Sequence, residues 1–483
     1  MTALALPESV ETPLLLLGDC LDVLARLPAE SVDVVITDPP AGVGFMGKPW
    51  DSFAGHEPRT AKGRDVNARL AGLLEPWAVG FVAFMTDVWS EVDRVLKPGG
   101  WVCAWALPKT ADLAGLALRA VGWTLHDALL HLFGEGMSKA GDLGKKIDRM
   151  LGAEREVIGP SARHIAKGRR DGTITGPIAG MLGTSTFAEH AETGAWATAP
   201  ATHESERWTD WSSQLAPGYE QWHLARKPTR LTYAAQVLAH GTGALNIGAC
   251  RVERGDAEHA AKVEWHAKYG EREYSHGDGI RAEQGFSHAK ISAPNPGGSW
   301  PKNVLLTEGG PACPVAELDR QSGVLEQATR NVDRFASGDD GVTLARNRCQ
   351  TGKLYGETGG ASRYFTRFGY FAKNSDRSAG MRSDIRNEHP TPKSVELMRW
   401  LVALLAAKAE HTGGQPAFVL DPFLGSGTTG VACIAEAVRF MGIERDEASF
   451  TVARARILAA IGSPEGAAEA NEAAPTGGQL ALL

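Results

Sequence analysis

The chain has 483 residues, of which 43% are hydrophobic and 22% are charged, and its formal net charge is −7. These values exclude wholesale disorder and leave room for about two to four compact units, at the usual ~100–200 residues per domain. The acidic balance excludes a strongly basic nucleic-acid coat, although a local basic groove is compatible with it.

The six cysteines are scattered and form no C-x-x-C pair. This spacing predicts neither a disulfide framework nor a zinc ribbon, and no metal site is expected. Residues 1–13 lack the basic start of a secretory signal, and no run of ~18 apolar residues occurs. Together these features predict a cytoplasmic protein with no membrane span.

The N-terminal third of the sequence alternates between short apolar runs and helical patterns. Two apolar runs predict buried strands, and the second run stops at Asp38-Pro39-Pro40. A long helical pattern ends at Lys97–Gly100, which predicts a turn before the next strand. The predicted elements are strands at Leu14–Leu17, Val32–Thr37 and Trp101–Leu107, and helices around Leu21–Leu27, at Val79–Leu96 and at Ala111–Val121.

The middle of the sequence has a different character. Between residues 134 and 385 glycine, proline and charged residues dominate, and the hydrophobic periodicity is weak. This region predicts a variable insertion with long loops, which are usually functional or disordered. Islands of order within it are at Gln221–Arg226, Gly243–Ile247, Asn303–Thr307 and Arg363–Lys373.

The C-terminal part returns to an α/β pattern. Strands and helices alternate there as far as residue 460, and residues 463–483 contain no basic residue and predict a flexible tail. The predicted elements are helices at Val395–Lys408, Thr429–Val438 and Ala448–Ala460, and strands at Ala417–Leu420 and Arg439–Ile443.

A glycine-rich loop, D-P-F-L-G-S-G-T over residues 421–428, joins a predicted strand to a predicted helix. The glycines allow a tight turn and a close approach of the backbone to a ligand, and the helix start supplies free N–H groups. Glu444 ends the next strand about 20 residues later, where an acid meets ribose hydroxyls in dinucleotide folds. Because no lysine follows the loop and Asp421 would repel phosphates, an adenosine ligand with a cationic group fits better than a polyphosphate. S-adenosylmethionine is such a ligand.

Asp38-Pro39-Pro40 follows a predicted buried strand, and ligands bind at the carboxyl ends of strands in open parallel sheets. There the Asp38 carboxylate and the Pro39 carbonyl can accept hydrogen bonds from an NH2 group. The exocyclic amine of adenine or cytosine is a poor nucleophile because its lone pair is delocalised into the ring. Such hydrogen bonds favour a pyramidal nitrogen, which can attack a methyl group on sulfonium. Alone, Asp-Pro is also a common turn former, so the motif gains its meaning from the loop at residues 421–428.

The two motifs resemble those of the amino-group DNA methyltransferases, which carry D/S-P-P-Y and F-x-G-x-G. The catalytic motif comes first here, as in the permuted beta group of bacterial and phage enzymes, and a compact sheet tolerates relocated termini. The resemblance spans about residues 14–460. Further matching stretches are Leu17–Cys20, Phe45–Asp51, Arg94–Gly100, Leu224–Pro228, Gly243–Ile247, Trp300–Val304 and His389–Lys393.

The resemblance implies a Rossmann-like α/β methyltransferase fold that depends on S-adenosylmethionine, with circularly permuted motif order and a large loop-rich insertion. The implied domains are a catalytic half in residues 1–133, a target-recognition region in 134–385, a cofactor-binding half in 386–462 and a flexible tail in 463–483. The implied activity is site-specific methylation of an amine on a base flipped out of double-stranded DNA.

Residue roles carry over from the family motifs. Asp38 and the backbone of Pro39 and Pro40 would hold the target amine. Aspartate rather than serine at the first motif position favours adenine N6, and cytosine N4 is the alternative. The expected cofactor-binding residues are Asp19, Lys393, Asp421, Pro422, Phe423, Gly425, Gly427, Thr428 and Glu444.

One motif position departs from the family. The aromatic residue that follows Pro-Pro is Ala41 here, and base–aromatic stacking contributes ~1–3 kcal/mol. Phe45 or Trp50 is a candidate substitute for the missing ring. A catalytically weak or silent DNA-binding relative is therefore one alternative, and methyl transfer to RNA is another.

Two basic stretches and the C-terminal residues suggest which partners the protein binds. Residues 361–393 hold seven Lys or Arg against three acids, and a second stretch includes Lys139, Lys145, Lys146, Arg149 and residues 167–170. Both are candidates for DNA-phosphate contacts, or are ordinary charged surface. The last five residues, Gln479–Leu483, resemble a short peptide that docks bacterial sliding clamps. The clamp and a homodimer are therefore candidate partners.

Overall fold

The computed structural model describes residues 4, 6–44, 51–134, 136, 141–160, 196–253, 263, 267, 295, 297–310, 312–323, 359–369 and 392–462. Within these ranges the strands are β1 Leu14–Leu17, β2 Val32–Thr37, β3 Leu96–Ala106, β4 Thr124–Leu125, β5 Leu129–Leu132, β6 Val157–Pro160, β7 Trp196–Thr198, β8 Tyr219–Arg226, β9 Val304–Glu308, β10 Thr366–Gly369, β11 Phe418–Asp421 and β12 Arg439–Glu444.

The described ranges also contain helices. They are α1 Cys20–Leu24, α2 Ala61–Leu70, α3 Pro76–Val95, α4 Ala111–Ala120, α5 Leu143–Met150, α6 His203–Arg207, α7 Tyr233–His240, α8 Pro314–Ser322, α9 Val395–Leu405, α10 Ala409–Thr412, α11 Thr428–Ala435 and α12 Glu447–Ile461, with a short 3-10 helix at Ala361–Tyr364. None of them is long and apolar enough to cross a membrane.

The elements predicted for the two ends of the chain are confirmed, with small shifts at their ends. β1 and β2 have the predicted bounds, and each predicted helix of the C-terminal part forms. The predicted turn at Lys97–Gly100 is instead a bulge inside β3. Leu96 pairs with Val32 and Trp101 pairs with Val34, so four residues oppose one. Pro98-Gly99 permits this detour, because Gly99 adopts a φ of 69°.

Ten strands form one mixed sheet in the order β1-β12-β11-β2-β3-β8-β5-β9-β10, and β4 pairs with β8 beside this path. Paired strands are parallel except at β8, which runs antiparallel to β3, β4 and β5. The two ends of the chain therefore meet in the sheet, since β11 lies between β12 and β2. The α/β fold with permuted order, predicted from the sequence, is confirmed by this topology.

The strand order reverses between β11 and β2. From β11 the chain adds β12 on one side, and from β2 it adds β3 on the other. Such a switch point opens a crevice at the carboxyl ends of the two strands, where α/β sheets bind their ligands. Both sequence motifs lie at this position.

Both faces of the central sheet are buried. Helices α1, α3 and α4 pack on one face, and α9, α11 and α12 pack on the other. This arrangement explains why β2 is a continuous apolar run rather than an alternating one, because all six of its residues are buried. The sheet therefore holds the ends of its strands on a rigid base.

Three strands of the sheet come from the middle of the chain. The island at Gln221–Arg226 lies in β8, the island at Asn303–Thr307 overlaps β9, and β10 lies inside the island at Arg363–Lys373. The predicted boundaries of a recognition region at 134–385 stay a prediction. The structure groups residues 1–135 and 219–483 into one compact unit and residues 136–218 into another.

The second unit is built around the buried carboxylate of Asp148 on α5. This carboxylate accepts hydrogen bonds from the Thr202 hydroxyl at 2.7 Å and the Ala201 N–H at 3.1 Å, and from the guanidinium of Arg155. Although burial opposes the charge, these donors hold the pKa of Asp148 well below its usual value. Lys145, which precedes Asp148 by three residues on α5, is exposed to solvent.

Candidate active site

Four acidic residues lie at the carboxyl ends of four neighbouring parallel strands. Asp19 follows β1, Glu444 ends β12, Asp421 ends β11 and Asp38 follows β2. Because these strands are adjacent in the sheet, their ends form one edge. The structure thus brings together the aspartate of the Asp-Pro-Pro motif and the glycine-rich loop, which are almost 400 residues apart in sequence.

Asp421 joins the two central strands. Its Oδ1 accepts a hydrogen bond from the Thr37 hydroxyl of β2 at 2.6 Å and another from the Phe423 N–H at 3.0 Å. Its Oδ2 accepts one from the Thr429 hydroxyl of α11 at 2.6 Å. Burial raises the pKa of Asp421 to about 6, against these hydrogen bonds and with a contribution from the charge of Asp38.

The glycine-rich loop depends on its glycines at two positions. Gly425 and Gly427 have φ angles of 54° and 80°, in the left-handed region that other residues avoid. A Cβ on Gly427 would also lie 2.8 Å from the Cα of Ala453 on α12. The loop is therefore packed directly on α12, and the two glycines allow it to turn without backbone strain.

Glu444 fastens the loop to β12. Its Oε2 accepts the Gly425 N–H at 2.8 Å, and its Oε1 accepts the backbone N–H groups of Arg445 and Asp446 at 2.9 and 2.8 Å. Burial raises the pKa of Glu444, against these hydrogen bonds. A carboxylate has about four acceptor positions, so this one retains capacity for a further donor such as a ribose hydroxyl.

Arg456 of α12 donates hydrogen bonds to the glycine-rich loop. The family motifs did not identify this residue. The side chain is 1% exposed, and its Nη1 donates to the Ser426 carbonyl at 2.6 Å and to the hydroxyls of Ser426 and Thr428 at 3.1 and 3.0 Å. Its position on α12 was readable from the sequence, since it stands three residues after Ala453 on the apolar face of the predicted helix.

Asp19 lies at the open end of the acidic edge. It caps α1 by accepting the Leu21 N–H at 3.0 Å, and it accepts a hydrogen bond from Arg59 at 3.2 Å. The backbone N–H of Arg59 is itself held by the buried Asp87 at 2.8 Å. The segment before α2 is therefore anchored beside Asp19.

Asp38 forms an ion pair that the family motifs do not predict. Lys393 Nζ lies 2.5 Å from Asp38 Oδ2 and 4.2 Å from the centroid of the Trp105 ring. Burial raises the pKa of Asp38, the charge of Lys393 opposes this rise, and the charge of Glu220 adds to it. Burial lowers the pKa of Lys393, but the charges of Asp38 and Glu220 outweigh it, so the net direction is upward. Lys393, expected to border the cofactor, contacts the carboxylate expected to hold the base.

The backbone after Asp38 continues into the loop that contains Ala41. The Ala41 carbonyl accepts the Thr110 hydroxyl at 2.7 Å, and Pro39, Pro40, Ala41 and Trp105 border a cavity of about 10 Å³. Such a space holds at most one water molecule. Phe45 and Trp50, the candidate substitutes for the missing ring, lie outside the described residues.

The carboxylates at this edge of the sheet suit a cationic, phosphate-free ligand. Asp19, Glu444, Asp421 and Asp38 give the edge a negative potential, which would repel a polyphosphate and attract an ammonium or sulfonium group. The two left-handed glycines leave the backbone of the loop open to close approach. Within the described ranges no group of three or more His, Cys, Asp or Glu could hold a metal ion.

Few of the residues expected to contact DNA can be placed. Arg363 donates to the Gly359 and Gly360 carbonyls at 2.9 and 2.7 Å and lies over the Tyr364 ring, and Arg367 pairs with Glu308 at 3.4 Å. Most of the other basic residues of 361–393, and residues 167–170 of the second stretch, lie outside the described residues. A phosphate-binding role for these stretches stays a prediction.

Comparison with known proteins supports the family resemblance. Residues 257–455 match the N6/N4 methyltransferase family model, described as DNA methylase. The matched part carries the glycine-rich loop, and the resemblance recognised from the sequence is confirmed. A search of curated proteins found no match.

Two solved structures show distant similarity. The M1.HpyAVI complex with SAM is 12% identical, with coverage of 92% of this chain and 98% of that one and a TM-score of 0.33. The cytosine-N4-specific PvuII DNA methyltransferase is 11% identical, with coverage of 91% and 84% and a TM-score of 0.36. Similarity at this level adds nothing to the geometry described above.

Replacing Asp421 with asparagine tests how much the burial of its charge destabilises the folded protein. The raised pKa means that the folded protein disfavours the charged carboxylate, so stability falls as pH rises from about 4 through 6. Asp421→Asn removes this penalty, and we expect the free energy of unfolding to rise by up to roughly 3 kcal/mol at pH 8, with the gain vanishing near pH 4. Urea unfolding at several pH values measures it. A loss of stability at pH 8 would contradict the assignment.

Arg456→Met tests the support of the glycine-rich loop. The change leaves the Ser426 carbonyl and the Thr428 hydroxyl without their cationic donor, so we expect the affinity for S-adenosylmethionine to fall roughly tenfold or more. Calorimetric titration measures the affinity. Arg399→Met removes an exposed arginine paired with Glu436 at 2.9 Å and serves as the control. Equal losses in both variants would show that the effect is not specific to the loop.

Lys393→Met should move the pH dependence of activity. The charge of Lys393 lowers the pKa of Asp38, so its removal raises that pKa further and shifts the acidic limb of the kcat/KM profile to higher pH. Lys393→Arg keeps the positive charge and should leave the limb nearer to its original position. Glu220 and Asp421 also face this region and are unchanged in both variants. Superimposable acidic limbs for the three proteins would rule out this coupling.

Proposed function

We propose that this chain is a DNA methyltransferase that transfers a methyl group from S-adenosylmethionine to an exocyclic amine of a flipped base, with adenine N6 favoured over cytosine N4. The observation that supports it most is the juxtaposition of the two motifs. Asp38 follows β2 directly beside the loop after β11, and the Thr37–Asp421 hydrogen bond of 2.6 Å ties the two strand ends together. The family match over residues 257–455 supports the same reaction class.

The cofactor would lie across the acidic edge. The loop backbone at Gly425 and Gly427, with Asp421 behind it, would hold the amino-acid part, Glu444 would accept from the ribose, and Asp19 would face the adenine. S-adenosylmethionine supplies an electrophilic methyl group on a sulfonium. Pro422, Phe423 and Thr428 belong to the same loop and would line it.

Asp38 would hold the amine in a reactive state. Its carboxylate and the Pro39 carbonyl accept the two amine hydrogens, which draws the nitrogen toward a pyramidal form. The nitrogen lone pair would then be free to form the bond to the methyl carbon, while the electron pair of the broken carbon–sulfur bond would stay on sulfur. The amine loses one proton, and Asp38, whose burial raises its pKa, is placed to receive it.

Double-stranded DNA is the substrate that the family match favours. Extrusion of a base costs a few kcal/mol, and phosphate contacts at the basic stretches would offset it. A silent DNA-binding relative is the second candidate, favoured by Ala41. The clamp-docking segment Gln479–Leu483 lies outside the described residues, and docking and dimerisation stay predictions.

Labelled methyl transfer tests the proposal directly. Incubation with labelled S-adenosylmethionine and mixed-sequence DNA should place label in DNA, and nucleoside mass spectrometry should show N6-methyladenine rather than N4-methylcytosine. Asp38→Asn should reduce the rate by at least roughly 100-fold, since it removes the anionic acceptor. Asp112→Asn, an exposed change on α4, is the matched control.

Three outcomes would count against the proposal in different ways. Full activity of Asp38→Asn would remove the assigned catalytic residue. Cofactor binding without transfer to any nucleic acid would favour the silent relative. Label in RNA but not in DNA would change the substrate class, and sequencing of methylated genomic DNA would otherwise give the recognition site.

A further inference from the structure

Asp38 and Trp105 are lateral neighbours at the ends of adjacent strands. β2 and β3 pair in register as far as Thr37 and Ala104, so the next residues on each strand lie side by side. Lys393 contacts both of them, which shows that the two side chains face the same side of the sheet. Trp105 is paired in turn with Trp222 of β8.

The Lys393 ammonium contacts the same two groups that a base bound at this position would contact through its amine and its ring. It donates to the Asp38 carboxylate at 2.5 Å, and it lies 4.2 Å above the centre of an aromatic ring. The side chain is only 9% exposed, so the ammonium occupies a largely enclosed place. A base held by Asp38 would therefore have Trp105 within reach of its ring.

Several buried polar side chains lie around this pair. Four of them find no hydrogen-bond partner among the described residues: Trp105 Nε1, Trp222 Nε1, His131 Nδ1 and Ser394 Oγ. Buried polar groups are rarely left unpaired without a reason. Trp222 is completely buried, and His131, which is 9% exposed, lies in register with Glu220 of β8.

Asp38 and Lys393 together present a hydrogen-bond acceptor beside a donor. Adenine has a complementary edge, because its N6 amine donates and the adjacent N1 accepts, and cytosine has the same order at N4 and N3. Guanine and thymine present the opposite order, with a carbonyl oxygen beside an N–H. The ion pair therefore matches the N6/N1 edge of adenine and the N4/N3 edge of cytosine, and it is mismatched with the O6/N1 edge of guanine and the O4/N3 edge of thymine.

We propose that Lys393 is a specificity-determining residue that donates to the ring nitrogen beside the target amine while Asp38 accepts from the amine, and that Trp105 stacks on the base in place of the ring missing at Ala41. This inference rests on the proposed function. On entry of the base the ammonium moves from the indole face to the base edge and keeps its contact with Asp38. A donor at the ring nitrogen withdraws electrons from the amine, so the gain lies in recognition and KM.

A base analogue tests the role of Lys393. Unmethylated duplexes carry the recognition site of the protein. Their target adenine is either intact or replaced by 1-deazaadenine, in which a C–H replaces N1. We expect the wild-type protein to lose roughly 10- to 100-fold in kcat/KM on the analogue, and Lys393→Met to lose a similar factor on adenine but almost nothing more on the analogue. If cytosine is the target, 3-deazacytosine replaces it. Lys408→Met, at a lysine paired with Glu436, should discriminate as the wild type does.

Equal discrimination against the analogue by Lys393→Met and by the wild type would overturn the role of Lys393. In that case, methylation of adenine by the wild type would still support the proposed function. No methylation of any DNA by the wild type would instead remove the proposed function and this inference with it. Thermal unfolding and cofactor titration of each variant separate a folding defect from a recognition defect.

A rescue experiment tests the role of Trp105. Trp105→Phe should retain most of the activity, whereas Trp105→Leu should raise KM for DNA roughly 5- to 100-fold with a smaller change in kcat. Ala41→Tyr in the Trp105→Leu background should recover much of the loss, because it returns the family's ring to the site. An unchanged KM in Trp105→Leu, or a defect that Ala41→Tyr leaves untouched, would refute stacking by this indole.

Discussion

The site depends on one buried contact between strands from opposite ends of the chain. The hydrogen bond from the Thr37 hydroxyl to Asp421 spans a sequence separation of 384 residues and sits where the strand order reverses. Because Asp421 also holds Thr429 at the start of α11, this single carboxylate fixes the distance between the Asp-Pro-Pro segment and the glycine-rich loop. Permuted motif order is tolerated because the sheet, rather than the sequence, brings the two motifs together.

The carboxylates at the same edge of the sheet lower the stability of the folded protein when they are charged. Three carboxylates, those of the buried Asp421 and the half-buried Asp38 and Glu444, have raised pKa values, which means that folding brings negative charge into surroundings that disfavour it. Natural proteins retain such groups mainly at functional sites, where a charged ligand compensates for them. The negative edge would disfavour polyphosphates and favour a cationic cofactor.

The sequence could predict the parts of the site that lie on one strand or one loop. Asp38, Asp421 and Glu444 were located because each follows an apolar run, and their alignment follows from parallel neighbours ending at one edge. The contacts of Arg456 with the glycine-rich loop and of Lys393 with Asp38 could not be predicted, because they join segments that sequence spacing does not relate. The strands of the middle region were visible only as islands, since a strand such as β8 takes its order from β3 and β5 on either side.

Ala41 shows how a change in a motif can be misread when the motif is considered alone. On the sequence, loss of the ring after Pro-Pro favours a silent relative, because stacking on the base would be lost. In the folded chain an indole from β3 stands beside Asp38, at the position that the register of β2 and β3 requires. Under the proposed role of Trp105, the stacking face belongs to the site rather than to the segment, so a neighbouring strand can supply it. A missing motif residue is evidence for lost function only where the sheet offers no replacement within reach of the same carboxylate.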